Sequence, residues 1–434
     1  MAAIGFPASE KARHLSGWIW WTVLAVVTIG LILAGGKRSV VHNYIAAGDA
    51  WSTAAPLYNE TGDGFIYLPH LAILFAPLAH VPTEVAEVIW RILALSLFAS
   101  GVYRLCRVGE RELGVELFLT TTLITLPLSW SAAQNGQATL PMAGLMMHAI
   151  ADVWRQSWNR SALWLWLAVG IKPLAVVLLL LIAATKPKSR RPLIIGAFCF
   201  CLLPFLAQRT PYVWQQMCAI PHMLTTASGG GQTEYWAQLF GMLEVAGLSI
   251  SPRWQFLTRV GAALATLGAV VVAERRLSKG TSALVLYALA ATYIMLFSPR
   301  TENNTYAMVA PAIALFFALE ADFRRRFAVA SSLLAIAAGT VCSFEIGRLF
   351  TPREQSIWLA PVMAVCFAVY LARQSFSRTL PQSSPNSWCD EVKNMSPFGA
   401  HQSADKQTAD KQTADKQTTD KQRVPNSLAK RSAA

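Results

Sequence analysis

Long apolar runs punctuated by short basic clusters dominate the first 380 positions. Apolar residues fill both faces of each run, so neither the 3.6-residue stripe of a surface helix nor strand alternation describes them. A hydrocarbon core of roughly 30 Å needs about 20 such residues per helical crossing. The pattern predicts crossings at Trp18 to Gly35, Val85 to Leu105, Glu112 to Trp130, Gln137 to Val153 and Pro192 to Gln208. It continues with Leu257 to Ala273, Thr281 to Phe297, Tyr306 to Ala321, Phe327 to Phe344 and Ile357 to Ala372. Basic clusters at Lys11/Arg13, Arg104/Arg107/Arg111, Arg155/Arg160, Lys186 to Arg191, Arg275/Arg276/Lys279, Arg324 to Arg326 and Arg373 flank these runs. The positive-inside rule places all of them on the cytoplasmic side, with both termini.

Ser161 to Thr185 breaks the pattern. It starts and ends at basic clusters and carries Gly170-Ile171-Lys172-Pro173 at its middle. Proline cannot continue a helix, so two short helices meeting at Lys172 predict a re-entrant hairpin with its tip at the outer face, facing protein or a watery cavity. Phe65 to Val81, interrupted by Pro69 and Pro77, is expected to lie along the outer interface as a short helix. The expected architecture is an all-α polytopic membrane bundle of about ten to twelve helices. Residues 1–17 form a cytoplasmic N-terminus, 18–379 the membrane domain and 380–434 a disordered cytoplasmic tail with a repeated Ala-Asp-Lys-Gln-Thr pentad and little apolar surface to bury. The first run carries no evident small-residue cleavage site after it, so a retained signal-anchor is expected.

Composition narrows the function. The chain is 54% hydrophobic and 14% charged, which selects lipid as its solvent. The formal charge of +13 is used up at helix ends rather than arranged as an aromatic-interleaved stripe, so a nucleic-acid partner is not expected. The cysteines are scattered within apolar runs and give neither a disulfide framework nor a metal site. Polar segments gather on the outer side: Gly36 to Gly64, Ser131 to Gly136, the Lys172 tip, Arg209 to Trp254, Ser298 to Thr305 and Glu345 to Gln355. One-sided clustering of this kind points to a site fed from one leaflet.

The first outer segment contains Tyr44, Ala46, Ala47, then Leu57-Tyr58, then Phe65-Ile66-Tyr67-Leu68-Pro69 and Pro77-Leu78. With Asn135-Gly136-Gln137, Gly170-Ile171-Lys172-Pro173 and Ser298-Pro299-Arg300-Thr301-Glu302-Asn303-Asn304, this order of motifs resembles the family 87 glycosyltransferases of the GT-C class. The resemblance implies a membrane enzyme of a bacterial-type cytoplasmic membrane. It would move a mannose-like hexose from a polyprenyl phosphate to a glycan, lipid or protein acceptor on the outer face. The lipid-linked sugar is then a substrate, and no cofactor or metal is expected. The family's acidic residue aligns near Ser39, with Asp49 the nearest carboxylate, and no histidine occurs between Ser298 and Tyr306.

Such a transfer needs a carboxylate to take the acceptor proton and cations to stabilise the departing phosphate. Asp49 and Glu302 are the candidate bases, with Asp63 a weaker one, and Lys172 and Arg300 the candidate phosphate ligands. Tyr67, Gln134, Asn135, Gln137, Gln232, Asn303 and Asn304 are candidates for sugar hydroxyls, and Trp51 or Trp236 for stacking on a pyranose. His42 and His70 are expected to be structural. Two rivals remain at the sequence level: a secondary transporter, which also breaks helices at ionisable residues, and an inactive GT-C relative acting as a scaffold.

Overall fold

The structure is a computed structural model that describes residues 10–34, 39–58, 64–113, 117–228, 236–321, 327–352 and 355–376. Asp63, the Gly229 to Gly231 run, Gln232, Arg324 to Arg326 and the pentad tail lie outside the described residues. All secondary structure within them is helical. Among the described residues, five helices are both long and apolar enough to cross a bilayer: Thr83–Glu110, Pro187–Ala207, Pro252–Arg276, Lys279–Phe297 and Leu359–Phe376. The protein is an integral membrane protein.

The helices are α1 (Glu10–Ala34), α2 (Val41–Ser52), α3 (Pro69–Phe75), α4 (Thr83–Leu113), α5 (Phe118–Gln134) and α6 (Thr139–Trp154). Then follow α7 (Trp158–Ile171), α8 (Val176–Thr185), α9 (Arg190–Ala207), α10 (Thr210–Ser228), α11 (Leu239–Val245) and α12 (Pro252–Arg276). The chain closes with α13 (Lys279–Phe297), α14 (Ala310–Ala321), α15 (Phe327–Val341), α16 (Ser343–Gly347) and α17 (Leu359–Phe376).

Helices α6 and α13 form the middle of the bundle, with Thr139 to Val153 and nearly all of α13 buried. A helix apolar on all sides needs neighbours on all sides, and α6 has them in α4, α5, α7 and α13. Between α4 and α6 the backbones meet. A Cβ on Gly144 would lie 2.4 Å from the Leu97 carbonyl oxygen, and one on Gly101 would lie 2.7 Å from the Gly144 carbonyl oxygen. Small residues that let helices touch are the usual adhesive inside a bilayer, where lipid chains are as apolar as leucine. Gly144→Leu is therefore expected to destabilise the protein by at least about 1–3 kcal/mol, the scale of overpacking. An unchanged thermal melt of the detergent-purified variant would refute this close approach.

Several shorter helices depart from the expected crossings. α6 has 16 residues, α15 has 15, and the expected span at Tyr306 begins as a 3-10 segment, Asn303–Met308, before the 12-residue α14. Irregular backbone is tolerated at membrane depth only where protein or a cavity covers it, and these irregular starts carry Gln137, Asn303 and Asn304.

Two expectations are corrected and one is refined. The first outer segment is not a polar loop, because α2 buries Val41, Tyr44, Ala47, Gly48 and Trp51 on one face. Phe65 to Val81 forms short helices as expected, with Leu71, Ala72 and Phe75 fully buried against neighbouring helices and Leu74 exposed. The segment after Arg209 is mostly α10, clamped to the first outer segment by Gln208 Nε2 donating to the Trp51 carbonyl at 2.9 Å. The Tyr212 hydroxyl donates to the Ala55 carbonyl at 2.7 Å, and the Leu57 amide donates to Gln216 Oε1 at 3.1 Å.

The hairpin is present. Proline pushes the preceding residue out of helical geometry, and Lys172 is extended at φ −151° and ψ 122°, ending α7 before Pro173 opens a 3-10 turn into α8. α9 then runs alongside α7, with the Trp166 indole donating to the Leu193 carbonyl at 3.0 Å and Gly170 facing Phe200. Twelve residues of rise, ~18 Å, separate the tip from Arg160. At that far end Asp152 is fully buried and accepts from Arg104 at 2.6 Å and from the Trp164 indole at 2.8 Å, with Arg160 at 3.5 Å. Lys186 pairs with Glu274 at 2.9 Å, tying α8 to α12. The charges that close this end are thus one hairpin length away from Lys172.

Candidate functional site

Three consecutive residues at the start of α6 each hold a different partner. Gln137 Nε2 donates to Glu302 Oε2 at 3.2 Å. The Ala138 amide donates to the Tyr44 hydroxyl at 3.4 Å, and Tyr44 and Tyr67 share a hydroxyl hydrogen bond of 3.1 Å. Thr139 Oγ1 accepts from Lys172 Nζ at 3.0 Å. Segments far apart in sequence therefore converge on the start of one helix, where the helix dipole favours an anion. No side chain caps α6.

The approach to α6 is built to hold this geometry. Gly136 has φ +65°, a conformation side-chain-bearing residues rarely adopt, and a Cβ there would lie 2.4 Å from Val41 Cγ2. Its carbonyl accepts from the Trp90 indole at 2.8 Å. The Val40 amide donates to the Asn135 carbonyl at 3.0 Å. Arg91 is buried, ion-paired with Glu87, and donates to the Gln134 carbonyl at 2.8 Å and Ser39 Oγ at 3.3 Å. Gln134 and Asn135 thus anchor the α5–α6 joint through their main chain, with Ser39 fixed in the same knot. The Glu87–Arg91 pair escaped sequence reading, although its i, i+4 spacing inside an apolar run was a legible signal.

Glu302 sits just before the 3-10 segment, exposed, with Asn304 Nδ2 donating to its Oε2 at 2.9 Å. Both amide donors engage Oε2, and Oε1 takes no hydrogen bond among the described residues. Its carboxylate bears electrostatically on Lys172, Tyr44 and Tyr67. Lys172 is partly buried and makes no ion pair within 4.0 Å among the described residues. Burial pushes the Tyr67 phenol up to about 12, and burial followed by the neighbouring Tyr67 raises Tyr44 well above the ordinary value. Both phenols stay protonated at neutral pH, and Glu302 supplies the carboxylate of the group.

Other candidates lie differently. Asp49 is exposed on the face of α2 opposite the buried Tyr44, Ala47 and Trp51. Arg300 is stacked over the Trp236 indole at 5.5 Å. Asn303 Oδ1 accepts from Ser343 Oγ at 2.9 Å. Trp51 is buried edge-on to Tyr212 and offers no open face. His70 stacks on Phe200 and bonds its carbonyl at 2.9 Å, a structural role as expected. Thr139 and Tyr44 were not among the expected site residues; nothing short of the fold shows that they meet Lys172 and Tyr67.

Comparison with known proteins follows this geometry. The model of Glycosyltransferase family 87 matches residues 65–299. A polyprenol-phosphate-mannose-dependent alpha-(1-2)-phosphatidylinositol pentamannoside mannosyltransferase of Mycolicibacterium smegmatis is 27% identical over 183 residues, 38% of this chain and 43% of that protein. The match thus spans less than half the relative's length. Among solved structures, ArnT from Cupriavidus metallidurans, crystallised bound to undecaprenyl phosphate, aligns with a TM-score of 0.42 and 16% identity. That alignment covers 83% of this chain and 77% of the other.

Proposed function

The chain belongs to glycosyltransferase family 87, and from that premise we propose that it transfers a mannose-like hexose from a polyprenyl phosphate to an acceptor hydroxyl. The observation that carries the proposal is the trio Gln137-Ala138-Thr139, which gathers a carboxylate, two neutral phenols and an ammonium around one helix N-terminus. The relative's dependence on polyprenol-phosphate-mannose supports the donor class.

The chemistry is a single displacement. Glu302, oriented through Oε2, takes the acceptor hydroxyl proton on Oε1 as the acceptor oxygen bonds to the anomeric carbon. The bond from that carbon to the phosphate oxygen breaks, and polyprenyl phosphate leaves with the electron pair. Lys172, at the positive end of the α6 dipole, meets the charge that develops there. Tyr67, with Tyr44 behind it, offers a hydroxyl to the sugar.

The site faces the outer side of the cytoplasmic membrane in this proposal, with both termini in the cytoplasm. A cysteine placed at Asn304 is then expected to react with an impermeant maleimide added outside intact cells. Labelling only after the membrane is opened would reverse the threading.

The deciding experiment supplies polyprenyl phosphate bearing radiolabelled mannose to the protein in nanodiscs with a lipid-extract acceptor. Appearance of label in a new glycan is expected. Intact donor, together with uptake of labelled solute into sealed vesicles, would assign the protein to the transporters instead.

A further inference from the structure

We propose that the cavity lined by Asn304 is the acceptor site and that it seats a neutral sugar. The proposal builds on Glu302 as the base. The cavity holds about 680 Å³ and is walled by the ends of α5, α15 and α16 and by the 3-10 segment after Glu302. Its polar wall includes Ser131, Asn303, Asn304, Thr340, Glu345 and Arg348, with Phe344 as an apolar face. Pockets of roughly 300–1,000 Å³ with a few convergent polar groups are the usual setting for small-molecule recognition.

The lining specifies the ligand class. Glu345 and Arg348 face each other at 3.6 Å, so their charges largely cancel, and Arg348 also lies 5.6 Å above the Phe344 ring. An anion would find no uncompensated cation there. A polyhydroxylated ligand finds amides, a hydroxyl and a carboxylate that donate and accept, beside one ring for the apolar face of a pyranose. Ser343 holds Asn303 by its Oδ1, which leaves the Asn303 amide hydrogens for the ligand.

The link to the reaction is Asn304. The same side chain lines the cavity and donates to Glu302, so a sugar seated there can present a hydroxyl to the carboxylate. Lys172, Thr139 and Tyr67 do not line it. The donor phosphate at Lys172 and the acceptor sugar in the cavity then occupy separate places, as attack on the anomeric carbon opposite the departing phosphate requires.

The test measures binding, so it does not depend on turnover. Octyl mannoside, below its micellar concentration, and polyprenyl phosphate are each titrated into the full chain in nanodiscs. Three variants are compared: Ser131→Trp, which fills the cavity; Glu345→Gln, an exposed and conservative change; and Lys172→Ala. Ser131→Trp is expected to weaken octyl mannoside at least tenfold and Glu345→Gln several-fold, both leaving polyprenyl phosphate binding intact. Unchanged mannoside binding in Ser131→Trp and Glu345→Gln, or loss of both ligands together in a variant that melts normally, would overturn the acceptor assignment. If Lys172→Ala leaves polyprenyl phosphate binding unchanged while Ser131→Trp loses the mannoside, the donor assignment fails and the sugar cavity stands.

Discussion

Glu302→Gln is expected to lower transfer by about 10²–10⁴-fold, the usual contribution of a positioned general base, while leaving the thermal melt unchanged. An amide in place of the carboxylate keeps an oxygen to accept from Gln137 and Asn304, so the hydrogen-bonded frame survives and only basicity goes. Asp49→Asn is expected to retain full activity, because Asp49 lies exposed on the face of α2 turned away from the buried Tyr44. The reverse outcome, loss with Asp49→Asn and none with Glu302→Gln, would move the base to α2 and dismantle the assignment.

Lys172→Ala is expected to slow turnover by roughly 100-fold or more, as loss of a contact to developing transition-state charge does elsewhere. Stability separates this from a structural role. Breaking a buried ion pair costs about 3–5 kcal/mol, but Lys172 has no carboxylate within 4.0 Å among the described residues and gives up one bond to Thr139 Oγ1. A neutral partner of that kind is worth about 0.5–1.5 kcal/mol. A small shift in melting with a large loss of transfer fits a lysine held for a ligand's phosphate. A large shift would make it a structural cation, and normal transfer would make it an interfacial one.

The parts of the fold that local physics fixes were legible in the sequence. Pro173 forces the break at Lys172 whatever surrounds it, and the basic clusters spaced along the apolar runs imply a hairpin that returns to its own side. Helix α2 was legible in principle, since Val41, Tyr44, Ala47, Gly48 and Trp51 follow helical spacing, but its polar remainder masked the stripe. The choice between Glu302 and Asp49 was not legible. Both are carboxylates beside family-like motifs in segments expected on the same side, and what distinguishes them is contact across 165 residues, from Gln137 to Glu302. The Tyr44–Tyr67 pair and the Thr139–Lys172 bond are of the same long-range kind.

The trio at the start of α6 also constrains how the site can move. Thr139 is the first residue of α6 and Gln137 lies in the short connection two residues before it, so an axial slide of α6 carries the Glu302 and Lys172 contacts in the same direction. Their separation hardly changes. Movement between the two contacts has to come from the hairpin tip or from the Ser298 to Thr305 segment, where short 3-10 turns interrupt the α-helices. A spin-label pair spanning those two stretches would register substrate entry, whereas a pair along α6 would stay silent.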